Sequence, residues 1–240
     1  MTERVALVTG AGRGIGLHIA AALAQRGVAT YIGVRDLRRG YAVAAELAGD
    51  GSSVRCVRLD VTDDDSAALA AATIDDEVGR LDILVNNAGV LLDKAVPPSA
   101  LTIDTLRATF ETNVFGVVRV TNAMLPLLRR AGRGTIVNVS SAMGSLTLAT
   151  TPSFEWYGLL QAAYNSSKSA LNAITIQYAK ELAGTGIVVN SVHPGVCATD
   201  LNGRIGERTA AEGARVIVDV ATATHSRSGA FYSEGGMLPW

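Results

Sequence analysis

Short apolar runs alternate along the chain with longer segments in which apolar positions recur at helical spacing. Runs of strand length occupy residues 5–9, 30–34, 54–59, 81–85, 135–139 and 187–192. Helical patterns occupy residues 15–25, 37–47, 64–78, 101–129 and 168–182. Strands that are apolar on both faces and separated by helices are typical of a parallel sheet covered on both sides. The pattern predicts a doubly wound α/β fold with a central, mostly parallel sheet of about seven strands.

The chain shows no internal boundary. No Pro/Ser-rich linker, charge block or repeat divides it, and Gly and Pro lie mainly where strands meet helices. We therefore expect one domain over residues 1–240, in which the segment from Gly229 to Tyr232 adds a last strand. Trp240 is expected to bury against its own domain or a neighbouring subunit. Pro126 is expected to kink or end the predicted helix 101–129, because proline lacks an amide donor.

Composition narrows the functional classes. Hydrophobic residues make up 48% of the 240 residues and charged residues 18%, which excludes a disordered or collagen-like chain. A net charge of −1 offers no field for nucleic acid or an anionic membrane surface. Two cysteines and three histidines lack the spacing of a disulfide framework or zinc site, so no metal is expected. No signal peptide or membrane segment is recognisable, which favours a cytoplasmic location.

A glycine-rich segment, TGAGRGIG at residues 9–16, follows the first predicted strand and opens the first predicted helix. Glycines in this place allow a tight turn and let the backbone approach a pyrophosphate, whose charge the free helix amides stabilise. A plain strand-to-helix turn is the competing interpretation of such a segment taken alone.

Five further motifs follow in order. They are Asn86-Asn87-Ala88-Gly89 after the fourth strand, Asn113 in a helix, Ser141 at the end of the fifth strand, Tyr164 and Lys168 in YNSSK, and Pro194-Gly195 with Thr199. Together with the glycine turn, this order resembles that of the short-chain dehydrogenase/reductase family across almost the entire chain. The resemblance implies a Rossmann fold, hydride transfer between a nicotinamide dinucleotide and a carbonyl or alcohol, and the catalytic residues Asn113, Ser141, Tyr164 and Lys168. It further implies that the dinucleotide is bound by Gly10, Gly12, Arg13, Gly14, Ile15, Gly16, Arg35, Asp60, Val61, Asn87, Ala88, Gly89, Tyr164, Lys168, Pro194, Gly195 and Thr199.

Tyr164 and Lys168 are four residues apart, so on a helix they share one face. A free phenol has a pKa near 10, and a neighbouring ammonium stabilises its phenolate. An isolated pair at this spacing is more often an ordinary helix surface, but the other motifs favour catalysis. The resemblance implies that Lys168 binds the nicotinamide ribose, that Ser141 bonds the substrate oxygen, and that Asn113 holds a water connecting Lys168 to solvent.

The preferred cofactor depends on the end of the second strand. Family members that prefer NAD usually carry an acid at the position of Val34, whereas Arg13 and Arg35 resemble the basic pair that holds the 2′-phosphate in NADP-dependent carbonyl reductases. NADP is therefore predicted, and NAD is the alternative. In that alternative Asp36, twenty residues after Gly16, binds the ribose; its other interpretation is a helix N-cap.

Asp60 and Val61 resemble the family's adenine-contacting pair. Asp60 also has a simpler interpretation, in which it caps the next helix.

The interval from Ser141 to Tyr164, 23 positions, is longer than in most of the family. The extra segment, residues 147–161 from Thr147 to Gln161, contains Trp156 among its aromatic residues and is expected either to line the substrate pocket or to alter a subunit contact. The family implies a homo-oligomer, a dimer or tetramer, but carbonyl reductases with a longer segment here can be monomeric. Residues 196–211 form a second candidate substrate element, whose other interpretation is an ordinary surface loop.

Three functions are consistent with these residues. The first is an NADP-dependent oxidoreductase that reversibly reduces a ketone or aldehyde to an alcohol. The second is an NAD-dependent alcohol dehydrogenase, and the third is a non-catalytic nucleotide-sensing protein on the same fold. In each case the partner is a small molecule, with neither nucleic acid nor membrane. The complete catalytic set argues against the third function.

Overall fold

The computed structural model describes residues 3–48, 53–224 and 227–240. Eight strands form one sheet. They are β1 Val5–Thr9, β2 Ala29–Val34, β3 Val54–Arg58, β4 Ile83–Asn86, β5 Gly134–Val139, β6 Ile187–Val192, β7 Phe231–Ser233 and β8 Gly236–Met237.

The strands follow the spatial order β3-β2-β1-β4-β5-β6-β7-β8, and every pair is parallel except β7 with β8. The chain winds outward from β1 in one direction and, from β4 onward, in the other. Beyond the carboxyl ends of β1 and β4 this reversal leaves a crevice, which is the usual ligand site of an open α/β sheet. The fold therefore directs the loops after these two strands into one cleft.

Helices cover both faces of the sheet. They are α1 Gly14–Gln25, α2 Leu37–Leu47, α3 Asp64–Val78, α4 Ile103–Phe110, α5 Gly116–Arg130, α6 Leu146–Ala149, α7 Ala162–Glu181 and α8 Ala210–Thr222. One core packs Ile19 of α1 and Ile217 of α8 against the sheet, and the other packs Ile74 of α3 and Met124 of α5 against the opposite face. All five residues of β1 are buried, as expected for a strand covered on both sides.

The predicted fold class is confirmed, with eight strands in place of about seven. The additional strand is the two-residue β8, which pairs antiparallel with β7. No apolar run marks it, since it forms where the tail turns back at Gly235 and Gly236. Within the described part of the chain, no helix is both long and apolar enough to cross a bilayer.

The predicted helix 101–129 is not continuous. It begins as α4, widens into a single π-helical turn at Glu111–Phe115, and continues as α5. Pro126 lies inside α5 at an exposed position and does not end the helix, which continues to Arg130. π turns inside helices often mark functional positions; this one carries Asn113.

Helix α7 begins six residues before its predicted start at Lys168, so Tyr164 lies in its first turn. Three polar residues, Asn165, Ser166 and Ser167, interrupt the apolar pattern there. The two serine hydroxyls donate to backbone carbonyls of the same helix.

Candidate active site

A cleft of about 770 Å³ lies across the carboxyl ends of the strands. Every residue predicted to bind the dinucleotide lines it, as does Ser141. Asn113 is the one predicted site residue that does not; it lies buried behind the cleft wall. The topology thus brings the motifs together from seven separate segments of the chain.

The glycine turn requires glycine at two points for different reasons. Gly10 has a φ of +65°, a left-handed conformation that side chains disfavour, and a Cβ there would lie 3.0 Å from the Cα of Ala88. A Cβ on Gly16 would lie 2.5 Å from the side-chain nitrogen Nδ2 of Asn87. The turn therefore packs directly on the loop after β4, and both line the same wall of the cleft.

Thr9 connects these two loops. Its hydroxyl accepts hydrogen bonds from the backbone N–H groups of Asn87 and Ala88, each at 3.0 Å. The side chain of Asn87 donates back to the Thr9 carbonyl at 2.9 Å. Because these polar groups bond one another, the loop is held rigidly beside the glycine turn.

The loop after β2 and the first turn of α2 contribute three charged side chains to the cleft. Asp36 caps α2, with its carboxylate accepting from the backbone N–H groups of Arg38 and Arg39, which confirms its interpretation as an N-cap. Arg35 is exposed and borders the cleft. Arg39, which the sequence reasoning missed, also borders it and donates through Nε to the Gly12 carbonyl at 3.0 Å. In the sequence, Arg39 is indicated only by its position in the first turn of the helix that follows β2.

Asp60 does not cap α3, since Asp63 does so through its bond from the Ser66 backbone. Asp60 instead accepts bonds from the backbone and hydroxyl of Thr62 at 3.0 and 2.8 Å. Burial raises its pKa, but these hydrogen bonds and the nearby Arg35 outweigh burial, so the pKa lies below its ordinary value. Asp60 is thus held as an anion at the border of the cleft.

Tyr164 and Lys168 lie one turn apart on α7, with the Lys168 ammonium 5.7 Å from the centre of the phenol ring. Burial raises the pKa of Tyr164 to about 12. The hydrogen bond with the neighbouring Ser141 hydroxyl lowers this pKa, but by less than burial raises it. Burial lowers the pKa of Lys168 to about 8. Its ammonium donates to the Val139 carbonyl at 2.8 Å, which fixes the side chain against the end of β5.

Ser141 reaches this pair because the turn after β5 packs tightly on α7. A Cβ on Gly144 would lie 2.7 Å from the backbone of Lys168, so only glycine fits there. Ser141 caps that turn by accepting from the Met143 N–H at 3.3 Å. Ser140 is also buried at the cleft, and within the described part of the chain its hydroxyl has no hydrogen-bond partner.

Asn113 bridges the cofactor loop and α7 from behind the cleft. Its amide donates to the Val90 carbonyl at 2.9 Å and to the Ser167 hydroxyl at 3.0 Å, and its oxygen accepts from the Val90 N–H. Both N–H bonds are used within the protein, so a water could bind this side chain only at its oxygen.

The loop after β6 forms the opposite wall with Pro194, Gly195 and Thr199. Gly195 has a φ of +82°. His193 precedes them and donates its backbone N–H to the Tyr232 carbonyl, which joins β6 to β7. Burial and then the nearby Arg208 lower the pKa of His193 to about 4, so the imidazole is neutral at pH 7.

The extra segment 147–161 contributes to the lining of the cleft. Trp156, Leu159 and Gln161 face the cavity, and Leu201 and Ile205 line it from the loop after β6. Tyr157 and Leu160 of the same segment are exposed. Trp240 stacks on Phe231 with ring centres 5.5 Å apart, so it packs on its own domain, and its carbonyl accepts two bonds from Thr147.

This chain is similar to known proteins in both sequence and fold. The family model for short chain dehydrogenases matches residues 4–210. The short-chain dehydrogenase anuI of Penicillium roqueforti is 36% identical over 228 residues, covering 92% of this chain and 90% of that protein. A cyclopentanol dehydrogenase of Comamonas sp. is 38% identical over 205 residues, covering 85% of this chain and 77% of that protein. The NADPH-bound carbonyl reductase from chicken fatty liver superimposes with a TM-score of 0.87 at 28% identity, covering 100% of both chains.

The matching stretch begins before the glycine turn and ends beyond Thr199, so it spans every motif that lines the cleft. With its parallel sheet, its crevice between β1 and β4 and its tyrosine and lysine on one helix turn, the chain belongs to the short-chain dehydrogenase/reductase family of oxidoreductases.

Proposed function

We propose that this protein is an NADP-dependent oxidoreductase that reversibly reduces a ketone or aldehyde to an alcohol. The observation that carries the proposal is the grouping of Ser141, Tyr164 and Lys168 on one wall of a cleft whose far end carries the glycine turn. Such a cleft has room for a dinucleotide along its length and for a small substrate beside the phenol.

The phenol of Tyr164 is the proton donor in the reduction direction. Burial raises its pKa to about 12 in the protein without cofactor, so the phenol carries the proton that it donates. The nicotinamide supplies the hydride. Ser141 donates a hydrogen bond to the substrate oxygen, and the Lys168 ammonium, charged below pH 8, stabilises the phenolate that proton donation leaves. Oxidation uses the same groups in reverse.

NADP is favoured by the charges around the end of β2. The guanidinium groups of Arg35 and Arg39 border the cleft there, and Val34 offers no carboxylate to a ribose 2′-hydroxyl. Arg13 also lines the cleft, where its guanidinium pairs with Asp200 at 3.0 Å. Guanidinium forks match phosphate oxygens geometrically. Asp36 borders the same region, but its carboxylate already accepts two helix amides, which weighs against a role in NAD binding. The chicken reductase, which has the same fold, was solved with NADPH bound.

The substrate end favours an apolar carbonyl compound. Trp156, Leu159, Leu201 and Ile205 line the same cleft as Tyr164, and Gln161 adds one polar group. Pockets of this kind bind through apolar contact and are oriented by few polar groups. By its name, the Comamonas relative acts on a cyclic alcohol.

The proposal is tested with a panel of cyclic, aromatic and aliphatic ketones and aldehydes, followed by loss of NADPH absorbance with NADH as the parallel cofactor. We expect turnover of apolar members and tighter binding of NADPH than of NADH. Equal or tighter NADH binding at fixed salt would contradict the cofactor assignment and favour the NAD-dependent dehydrogenase.

Tyr164→Phe separates an enzyme from a nucleotide sensor. We expect this variant to lose turnover and retain NADPH binding, because the hydroxyl acts on the substrate. A natural protein that binds NADPH and reduces no member of the panel would instead support a sensor. Subunit number, predicted as a dimer or tetramer, is measured on the same preparation by light scattering.

A further inference from the structure

The catalytic helix α7 has no cap of its own. The residue before it, Gln161, makes no side-chain bond to the first helical turn. The first N–H groups of a helix have no partner inside the helix, and a buried one without a partner is costly. Tyr164 lies in this first turn, so the way the turn is capped sets the position of its backbone.

Asp93 supplies the missing cap from 70 positions earlier in the sequence. Its carboxylate accepts from the Ala163 N–H at 2.7 Å and from the Tyr164 N–H at 3.3 Å. These are the second and third N–H groups of the helix, the pair that a capping side chain normally takes.

The carboxylate of Asp93 is fully buried, with a relative exposure of 0%, and it does not line the cleft. No cation forms an ion pair with it within the described residues. Its two oxygens accept from helix amides at the N-terminus of α7, where the helix dipole is positive. Because a buried carboxylate needs hydrogen-bond partners, Asp93 fixes the position of the helix end that supplies them.

The same short loop contacts α7 a second time. Val90, three residues before Asp93, bonds to both polar ends of the Asn113 amide, which donates to Ser167. Ser167 in turn donates to the carbonyl of Tyr164 at 2.7 Å. The N–H and the carbonyl of Tyr164 are therefore both connected to the loop after β4, which also carries Asn87, Ala88 and Gly89 against the cofactor end of the cleft.

We propose that Asp93 is a positioning residue for Tyr164: by capping α7 it aligns the phenol with the loop that lines the nicotinamide end of the cleft. It contacts neither substrate nor cofactor and acts through the backbone of Tyr164. The inference rests on the proposed function only for its kinetic consequence, since the capping itself is independent of any reaction.

The test compares Asp93→Asn and Asp93→Ala with Asp63→Ala, which removes an exposed cap from α3. Asparagine keeps one acceptor oxygen, so it retains the bond to the Ala163 N–H and the shape of the side chain. Hydrogen exchange is measured for the peptide 162–168 without cofactor. We expect exchange there to quicken by about tenfold in Asp93→Asn and by more in Asp93→Ala. The control should leave it unchanged.

The kinetic measurement uses a carbonyl substrate found in the panel, with deuterated NADPH. We expect kcat of Asp93→Asn to fall about tenfold, with the substrate KM and the NADPH Kd within about twofold of the natural protein, and with a larger deuterium isotope effect on kcat. The asparagine variant should keep more activity than the alanine variant. Partial unfolding would lower the apparent kcat without changing KM or the isotope effect, so the larger isotope effect is the result that a general loss of stability would not produce.

Unchanged exchange at residues 162–168 in Asp93→Asn would overturn the capping role. Faster exchange with unchanged kcat would overturn the positioning role. A natural protein that reduces no carbonyl refutes the proposed function, and the exchange measurement then decides the capping by itself.

Discussion

The guanidinium of Arg13 lies 3.0 Å from the carboxylate of Asp200, and this ion pair joins the glycine turn after β1 to the loop after β6 across the cleft. Asp200 also contacts Arg204 at 3.3 Å, so one carboxylate serves two cations at the mouth. The arginine that we assign to the cofactor phosphate is thus paired with a protein carboxylate when the phosphate is absent. A cofactor phosphate bound by Arg13 would therefore compete with Asp200 for this guanidinium.

Asp200→Asn should therefore tighten NADPH binding. The variant frees Arg13 and removes a negative charge near the phosphate, and an exposed ion pair is worth about 0.2–1 kcal/mol, which corresponds to about threefold in Kd. Fluorescence titration at fixed salt measures the change. Asp219→Asn breaks a comparable exposed pair with Arg26 away from the cleft and should leave Kd unchanged. Weaker NADPH binding in Asp200→Asn would show that Asp200 supports the cofactor instead.

Arg35→Asp should reverse the cofactor preference. The new carboxylate repels a 2′-phosphate and offers acceptors to a 2′-hydroxyl, so NADPH binding should weaken by about 100-fold while NADH binding changes little. Arg38→Asp is the matched control, because Arg38 lies exposed in the first turn of α2, three residues after Arg35, and outside the cleft lining. If both variants weakened NADPH binding equally, the effect would be a long-range charge effect and not a contact of Arg35.

Lys168→Met should stabilise the cofactor-free protein at pH 7 and abolish turnover. The pKa of Lys168 falls from its ordinary 10.5 to about 8 on folding because its ammonium is buried. Between these values the unfolded chain binds more protons than the folded chain, so the free energy of unfolding of the natural protein rises with pH. After allowance for the lost bond to Val139, we expect a gain of about 2 kcal/mol at pH 7, shrinking from pH 8 toward 10.5.

Urea unfolding of both proteins at pH 7, 8, 9 and 10 measures this difference. A difference that stays constant over the series would mean that Lys168 is not the group whose burial is relieved at high pH.

Trp240→Ala should loosen the segment 147–161. The variant removes the ring stacked on Phe231, and loss of a half-buried aromatic pair costs about 1–2 kcal/mol, or a fall in Tm of about 2–8 °C at this chain length. Because the Trp240 carbonyl holds Thr147, we expect the substrate KM to rise with little change in the NADPH Kd.

Leu69→Ala, at a 63% exposed position on α3, is the comparison for an ordinary surface truncation. Leu69→Ala should change neither the Tm nor the substrate KM measurably. A Trp240→Ala protein with a lower Tm and an unchanged KM would show that the tail stabilises the fold without affecting substrate binding.

The amino-acid sequence by itself determined the order of strands and helices, because apolar periodicity reports which faces are buried. It also determined the chemical groups of the cleft, because the glycine turn and the spacing of Tyr164 and Lys168 are local features. Residues four apart on a helix must share a face, and a turn that needs a left-handed backbone must use glycine. Local geometry explains these two features, and the resemblance to the short-chain dehydrogenase/reductase family assigned them to one site.

The tertiary structure decided which distant groups meet. Asp93 and Tyr164, Arg13 and Asp200, and Thr147 and Trp240 are each separated by 70 or more positions, and no periodic pattern connects them. The bond from Arg39 to the Gly12 carbonyl and the tight approach of Gly144 to Lys168 also join residues that are distant in the sequence. Such pairs form because packing brings loops from different strands to one edge of the sheet, where a polar group that folding removes from water must bond to whichever partner the topology places there.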